Sequence, residues 1–304
     1  MSTVRNHDWW DPATLRSLGT IDAERVSELS EGRLRHDVGV RLNRAVVEHD
    51  LTLIIGPVFP HEVVAFSGGN KPLFPGVAAQ DIIDLSHWLG ALITSVDLIG
   101  TVGTTPVRAL IDEAADMVPS PWWRSAWVAP GSDALHSISY GPPRAAEVSA
   151  KAHIRYLDHP VARVVSLIPT KYQGMRTGGK GFYKVEPVVA DGGQVIIYAP
   201  HIRELSVLHP EIATIGYQDR DCFVKQWDRF SHLRWGDLAH STHLRGAGVF
   251  DPETGEANRV TVTLANRHPR GGRPRRQPRL PRCSDDRHRC VHCGPEHPGG
   301  ARRR

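Results

Sequence analysis

The sequence predicts an α/β fold with two domains, and three observations support this. A short apolar run at residues 50–56 ends in glycine and is typical of a buried strand in a parallel sheet. Residues 79–94 then carry apolar side chains at helical spacing. Further strand patterns follow after residue 160, and a chain of 304 residues is long enough to form two hydrophobic cores.

The first half of the chain has two clear helix signals. The first helix, at residues 79–94, has an apolar face formed by Ile82, Leu85, Leu89, Leu92 and Ile93. The second is expected after Thr105, a suitable N-cap, with Pro106 at its first position and Pro119 beyond its end. Both helices lie in the part of the chain that follows the predicted strand.

Residues 119–133 are rich in proline and tryptophan and interrupt this periodicity, so we expect a connection between domains there. Three strands are expected beyond it, at residues 162–170, 192–202 and 260–265. The predicted domains are therefore residues 1–130 and 131–265.

The basic character of the chain is confined to its end. Residues 266–304 contain twelve arginines, no lysine and three acidic residues, a net charge of +9, so the preceding residues carry −5 of the total of +4. This tail has no Phe, Tyr or Trp and is expected to be disordered, because it cannot bury enough apolar surface to fold. The body of the protein is mildly acidic, which argues against a nucleic-acid partner.

The start of the chain lacks the apolar stretch of a signal peptide, and no run approaches the ~20 apolar residues that cross a bilayer. We therefore expect a cytoplasmic protein without a membrane partner. Cys222 is the only cysteine before the tail, and a free, buried thiol is expected there.

A lysine between two histidines is the strongest chemical signal. His61 lies ten positions before Lys71, and His87 follows sixteen positions after it. Lysine can bind phosphate or form a covalent bond when its pKa is lowered, and histidine can bind a metal or transfer protons. The loop before the lysine has small residues that let the backbone approach a ligand and bind a phosphate: Ser67, Gly68 and Gly69.

Each of these features also has a plainer explanation. A Gly-Gly-x-Lys sequence is common in turns with a solvated lysine, and a single helical histidine is often only packed. Ala65 stands where a zinc-protease helix would have its second histidine, and the loop lacks the pattern of an ATP-binding P-loop.

Residues 56–91 contain a histidine, then SGG.K, then PG, then a helical histidine, and so resemble the signature of the lactate racemase family, the nickel-pincer-nucleotide enzymes. The resemblance implies that Lys71 forms a thioamide link to the cofactor, that His87 binds the nickel, and that His61 is one of two acid/base histidines. Residues 177–202 resemble the family's carboxy-terminal domain. There the resemblance implies that Lys180 is a catalytic residue facing the cofactor across an interdomain cleft, and that Thr177 contacts the cofactor.

The activity that this resemblance implies is the racemisation or epimerisation of a 2-hydroxy acid. Family members move a hydride from the substrate to the nickel-pincer nucleotide while a histidine removes the hydroxyl proton. Residues 238–248 are also similar to the family, but we expect His240 and His243 to be surface or core residues without a role.

One departure from the family leaves another function open. Family members carry a further segment ahead of this one, with the second acid/base histidine and an arginine that binds the substrate carboxylate. No GTHR-like stretch occurs here. The alternative is an inactive fragment of an amino-terminally truncated gene, or a cofactor-binding subunit completed by a separately encoded amino-terminal piece.

The second departure is the tail. Its abrupt change of composition is what a GC-rich gene read out of frame would produce, so we hypothesise a frameshift; resequencing that finds a clean stop after Leu264 without a second frame would contradict it. An alternative is a zinc site formed by Cys283, Cys290 and Cys293 with nearby histidines. A third is loose RNA binding by the arginines. The lack of an apolar framework makes the zinc site the weaker explanation.

Overall fold

The computed structural model describes residues 4–128, 135–142, 156–206 and 209–265. Helices and strands are mixed along the chain in an α/β fold, as predicted. The α-helices are Ala23–Leu29, Arg44–Glu48, Gln80–Ile93, Ser95–Leu98, Pro106–Asp116, Met175–Gly178, Lys180–Tyr183, Glu211–Ile215, Arg220–Lys225, Trp227–Phe230 and Trp235–Ser241. The strands are Leu15–Ile21, Val38–Asn43, Thr52–Pro57, Pro60–His61, Ala65–Phe66, Trp122–Val128, Ser137–Gly141, Val161–Leu167, Val189–Tyr198, Val249–Asp251, Gly255–Ala257 and Thr261–Ala265. Short 3-10 helices lie at Pro12–Thr14 and Glu186–Val188.

The core of the first half lies between an antiparallel hairpin and two helices. Leu15–Ile21 pairs with Val38–Asn43, whose valines and leucine alternate inward into the core. Helices Gln80–Ile93 and Pro106–Asp116 supply the facing residues, among them Ile82, Leu85, Leu89, Leu110 and Ile111. The apolar face predicted for the first helix is therefore confirmed for its first three residues, and Leu92 and Ile93 are only partly buried.

The helix Pro106–Asp116 begins where the sequence predicts it. The Thr105 side chain accepts a hydrogen bond of 3.3 Å from the Arg108 amide, and Pro106 needs no partner at the first position. Replacing Thr105 with alanine is expected to lower the free energy of unfolding by about 1 kcal/mol, because an amide of the first turn loses its partner. Urea unfolding measures this effect. Thr105→Ser keeps the oxygen and is the control; equal losses in both variants would show that the cap does not stabilise the helix.

A mixed sheet brings residues 52–57 beside residues 122–128. Thr52–Pro57 runs parallel to Trp122–Val128, which pairs antiparallel with Ser137–Gly141. The parallel strand predicted at residues 50–56 is confirmed, but its full burial is not: Leu53 and Ile55 are 52% and 67% exposed. The connection expected at residues 119–133 is wrong for residues 122–128, because this segment is the central strand of the sheet.

The second half of the chain is built on a parallel sheet of three strands. Val189–Tyr198 is the central strand, with Val161–Leu167 and Thr261–Ala265 on its two sides. The three strands that the sequence predicts beyond residue 160 are therefore present. Their core contains Val195 and Ile197, both fully buried, together with Phe182 and Tyr183 from a short helix.

The two halves are in contact through their helices. Trp235–Ser241 packs against Gln80–Ile93, and Trp88 lies in one cluster with Phe223 and Leu238. Cys222 is buried, as expected, and forms no disulfide with another described residue. The boundary at residue 130 stays a prediction, and the tail at residues 266–304 lies outside the described residues. Over the ranges that the structure describes, no helix has both the length and the apolar character needed to span a bilayer.

Candidate active site

A cavity of about 180 Å³ lies between the two halves of the chain. One side comes from residues 61–87, and the other from residues 176–243. The lining residues are His61, Glu62, Val63, Val64, Lys71, Pro75, His87, Arg176, Thr177, Lys180, Tyr183, His240 and His243. The structure thus brings together five side chains that the sequence predicts to share a site: His61, Lys71, His87, Thr177 and Lys180.

Buried polar side chains hold the loop that carries Lys71 against the helix Pro106–Asp116. The Arg108 guanidinium donates to the backbone carbonyls of Val64, Phe66 and Gly68 at 3.2, 2.6 and 3.0 Å. Asn70 donates to Asp112 at 2.9 Å. Such charge-assisted and buried hydrogen bonds fix a loop that has little regular structure of its own. The position of Lys71 is therefore set by the helix Pro106–Asp116.

Ser67, Gly68 and Gly69 are not among the residues that line the cavity. The Ser67 amide donates to the Phe59 carbonyl at 2.9 Å, and its hydroxyl donates to the Pro57 carbonyl at 3.1 Å. The Ser67 amide is thus occupied within the protein. Gly69 has a φ of +59°, which glycine adopts without strain. Contact of these three residues with a cofactor stays a prediction.

The Lys71 side chain is half-buried at the wall of the cavity. Within the described part of the chain, its amine makes no hydrogen bond and no ion pair. Burial lowers the pKa of Lys71, and the nearby cations Lys180 and Arg108 add to this effect, against the opposing charge of Glu62. A lysine in this state has a larger fraction of the neutral, nucleophilic amine.

His87 is held in one tautomer by its own helix. Its Nδ1 lies 2.7 Å from the Ile83 carbonyl, which can only accept, so Nδ1 carries the hydrogen and Nε2 has the free lone pair. Burial lowers the pKa of His87 to about 4, so the ring is neutral at neutral pH. A neutral imidazole with a defined lone pair is the form that binds a metal.

Glu62 joins the two sides of the cavity. This carboxylate is 5% exposed, and its Oε1 accepts hydrogen bonds from Lys180 Nζ at 3.2 Å and from the Tyr183 hydroxyl at 2.9 Å. Burial alone would raise the pKa of Glu62, but the positive charge of Lys180 and a backbone hydrogen bond act against it and hold the pKa below its usual range. The negative charge of Glu62 is thus present at neutral pH and holds Lys180 in place.

His61 is buried beside Glu62. Its Nδ1 accepts a hydrogen bond of 3.1 Å from the Val63 amide, so the neutral ring carries its hydrogen on Nε2. Burial lowers the pKa of His61 well below its usual value. Glu62 Oε2 has no hydrogen-bond partner and lies 3.7 Å from Nδ1.

His240 and His243, for which the sequence predicts no role, lie in the candidate site. Both are buried, and both line the cavity. The Arg176 guanidinium lies 2.6 Å from His240 Nε2, and His240 Nδ1 lies 3.3 Å from His243 Nδ1. The rings of His87 and His240 are 5.3 Å apart.

Sequence reasoning missed five of the polar residues in the cavity: Glu62, Arg176, Tyr183, His240 and His243. Two weak signals were present. Glu62 is the neighbour of His61, and Arg176 and Tyr183 stand four positions before and three positions after Lys180, the spacing of one helix face. The structure replaces that regular helix by two short ones, Met175–Gly178 and Lys180–Tyr183.

No three His, Cys, Asp or Glu side chains among the described residues are grouped so that they could hold a metal ion by themselves. A metal at His87 would therefore need most of its ligands from a bound molecule.

Comparisons with known proteins agree with the sequence signature. Residues 6–96 match the family model of the lactate racemase N-terminal domain. The crystal structure of a Thermotoga maritima protein is 34% identical, with a TM-score of 0.77, and the match covers 87% of this chain and 68% of that one. The lactate racemase apoprotein of Thermoanaerobacterium thermosaccharolyticum has the same fold at 20% identity, with a TM-score of 0.60, over 78% of this chain and 55% of that one. No curated protein matches the chain.

Proposed function

The chain belongs to the lactate racemase family, and on this basis we propose that it racemises or epimerises a 2-hydroxy acid with a nickel-pincer nucleotide as cofactor. One observation carries the proposal. The amine of Lys71 and the imidazole of His87 line the same cavity, with His61 beside them and with Lys180 and Thr177 on the opposite side.

The residues present fit this cofactor by the chemistry of their donors. The unpaired, half-buried Lys71 amine is suited to a covalent link, and the neutral His87 imidazole is a donor that Ni(II) accepts. A pincer ligand would supply the other donor atoms to the nickel, so a single histidine from the protein would be enough. When bound, the cofactor would take up the hydride of the substrate C–H and return it to the other face.

His61 is the residue we assign to proton transfer at the substrate hydroxyl. As placed, its Nε2 carries the hydrogen and can donate it to an oxygen. To remove a proton, the ring needs its hydrogen on Nδ1, and Glu62 Oε2 is the unpartnered acceptor nearest to that atom. Glu62 thus supports the basic tautomer, while the Val63 amide supports the acidic one.

Lys180 and Thr177 close the cavity from the carboxy-terminal side. Lys180 brings a positive charge within reach of a substrate oxygen, held there by Glu62. The Thr177 hydroxyl donates to the Gly174 carbonyl at 3.0 Å and keeps its lone pairs available to a ligand donor. The remaining wall, formed by Val63, Val64 and Pro75, is apolar.

Nickel binding tests the role of His87. We expect His87→Ala, co-expressed with the cofactor-making enzymes, to lose nickel by at least about tenfold while the covalent adduct on Lys71 remains. Metal analysis and intact-mass spectrometry on the same sample measure both.

His49→Ala is the matched control, because His49 makes the same contact with the carbonyl four residues earlier, at 2.7 Å, but on the surface. Unchanged nickel content in His87→Ala would show that another group binds the metal.

A further inference from the structure

Arg176 is a cationic residue of the cavity that has no part in the proposed binding of the cofactor or in proton transfer. Its guanidinium makes one hydrogen bond, to His240, and its buried Nε has no partner. Across the described ranges it forms no ion pair. The carboxylate that acts on it electrostatically is Asp237, whose Oδ1 is bound to His209 Nδ1 at 2.7 Å and whose Oδ2 makes no hydrogen bond with the guanidinium.

The contact with His240 holds the guanidinium by one of its nitrogens. Arginine is always a donor, so His240 Nε2 must accept, and the hydrogen of the neutral His240 ring lies on Nδ1, facing His243 Nδ1. The hydrogen bond to His240 thus holds Arg176 Nη2 in place. The other N–H groups of the guanidinium can donate to a further acceptor.

The other cations of the cavity are already engaged. Lys180 is paired with Glu62 at 3.2 Å, and Lys71 is the proposed attachment point of the cofactor. Burying a guanidinium costs free energy unless an anion compensates it, and burial lowers the pKa of Arg176. A planar fork with free donors matches a carboxylate, which can accept two parallel hydrogen bonds.

We propose that Arg176 binds the carboxylate of the hydroxy-acid substrate. The assignment rests on the proposed function in taking a hydroxy acid as the ligand. It places the carboxylate beside His240, whose ring is 5.3 Å from that of His87, and so brings the adjacent carbon towards the metal-binding residue.

Ligand binding by the full chain, purified without cofactor, tests this assignment by calorimetry. The probes are lactate and propane-1,2-diol, which lacks the carboxylate. We expect Arg176→Gln to weaken lactate binding by at least about tenfold, or about 1.4 kcal/mol, and to leave diol binding unchanged. Arg16→Gln, on an exposed strand residue, is the matched control and is expected to change neither.

Arg176→Lys is the second variant, for use if Arg176→Gln does not fold. It keeps the positive charge but loses the planar pair of donors, so lactate binding is expected to weaken several-fold. Melting temperatures identify a variant that is not folded. Equal lactate affinity in the unaltered chain and in the folded variants would overturn the assignment, as would no lactate binding by the unaltered chain at millimolar concentration.

The anion that Arg176 binds could belong to the substrate, as a carboxylate, or to the cofactor, as a phosphate. Binding of inorganic phosphate distinguishes the two. If Arg176→Gln weakens phosphate binding but not lactate binding, the residue binds a nucleotide phosphate, and the assignment is overturned. The nickel and the Lys71 adduct are expected to remain in Arg176→Gln after co-expression. If the proposed function is wrong, the unaltered chain itself will lack the nickel and the adduct. If only the assignment of Arg176 is wrong, the unaltered chain will carry both.

Discussion

Replacing Lys71 with alanine is expected to abolish the covalent cofactor adduct and to reduce racemase activity by at least about 1,000-fold, or about 4 kcal/mol of activation free energy. The reason is chemical. Lys71 carries an amine without a partner among the described residues and with a lowered pKa, whereas the Lys180 amine is engaged in an ion pair with Glu62. Intact-mass spectrometry after co-expression with the cofactor-making enzymes measures the adduct, and a racemisation assay measures the activity.

Lys71→Arg is the informative second variant, because a guanidinium keeps the positive charge but cannot act as a nucleophile at neutral pH. It is expected to lack the adduct as well. Lys171→Ala, which removes an exposed lysine outside the cavity, is the control. An adduct of full yield on Lys71→Ala would assign the covalent link to another residue.

Replacing Glu62 with glutamine is expected to lower both stability and turnover. The change removes a buried charge that accepts from Lys180 and from Tyr183, so we expect a loss of about 3 kcal/mol in the free energy of unfolding. Turnover falls because Lys180 loses the ion pair that positions it at the cavity, and His61 loses the nearby acceptor that supports its basic tautomer. Urea unfolding and steady-state kinetics measure the two effects.

A double-mutant cycle with Tyr183→Phe isolates the contact with the Glu62 carboxylate. The two side chains lie 2.9 Å apart and belong to different halves of the chain, so a coupling free energy of about 1 kcal/mol or more is expected. Glu28→Gln removes one partner of an exposed pair with Arg25 and should cost less than about 1 kcal/mol. Additive effects of Glu62→Gln and Tyr183→Phe would show that this contact does not join the two halves.

Local signals predicted the parts of the fold that local chemistry determines. The helix at Pro106–Asp116 follows from a threonine cap and a proline at its first position, and the helix at Gln80–Ile93 follows from its apolar face. The strand Trp122–Val128 was missed because its alternation is hidden. Its inward positions include Arg124, which is 1% exposed and donates to the Pro57 carbonyl, while Trp123 points outward and is 40% exposed.

The site could be predicted on one side of the cavity and only partly on the other. His61, Lys71 and His87 lie within one stretch of sequence, so a family signature could show them together. Glu62 meets Tyr183 across 121 positions, and Arg176 meets His240 across 64, and no local pattern contains such pairings. The first pairing joins the two halves of the chain, which are also in contact where Trp235–Ser241 packs against Gln80–Ile93.

The central claim is that Lys71 and His87 together hold a nickel-bearing nucleotide in one cavity. Peptide mass spectrometry combined with nickel X-ray absorption tests it most directly, on the unaltered chain from cells that make the cofactor. We predict a nucleotide-derived adduct on the peptide that contains residue 71, and a nickel centre with one imidazole nitrogen among its ligands. An unmodified lysine in a nickel-free protein would contradict the claim.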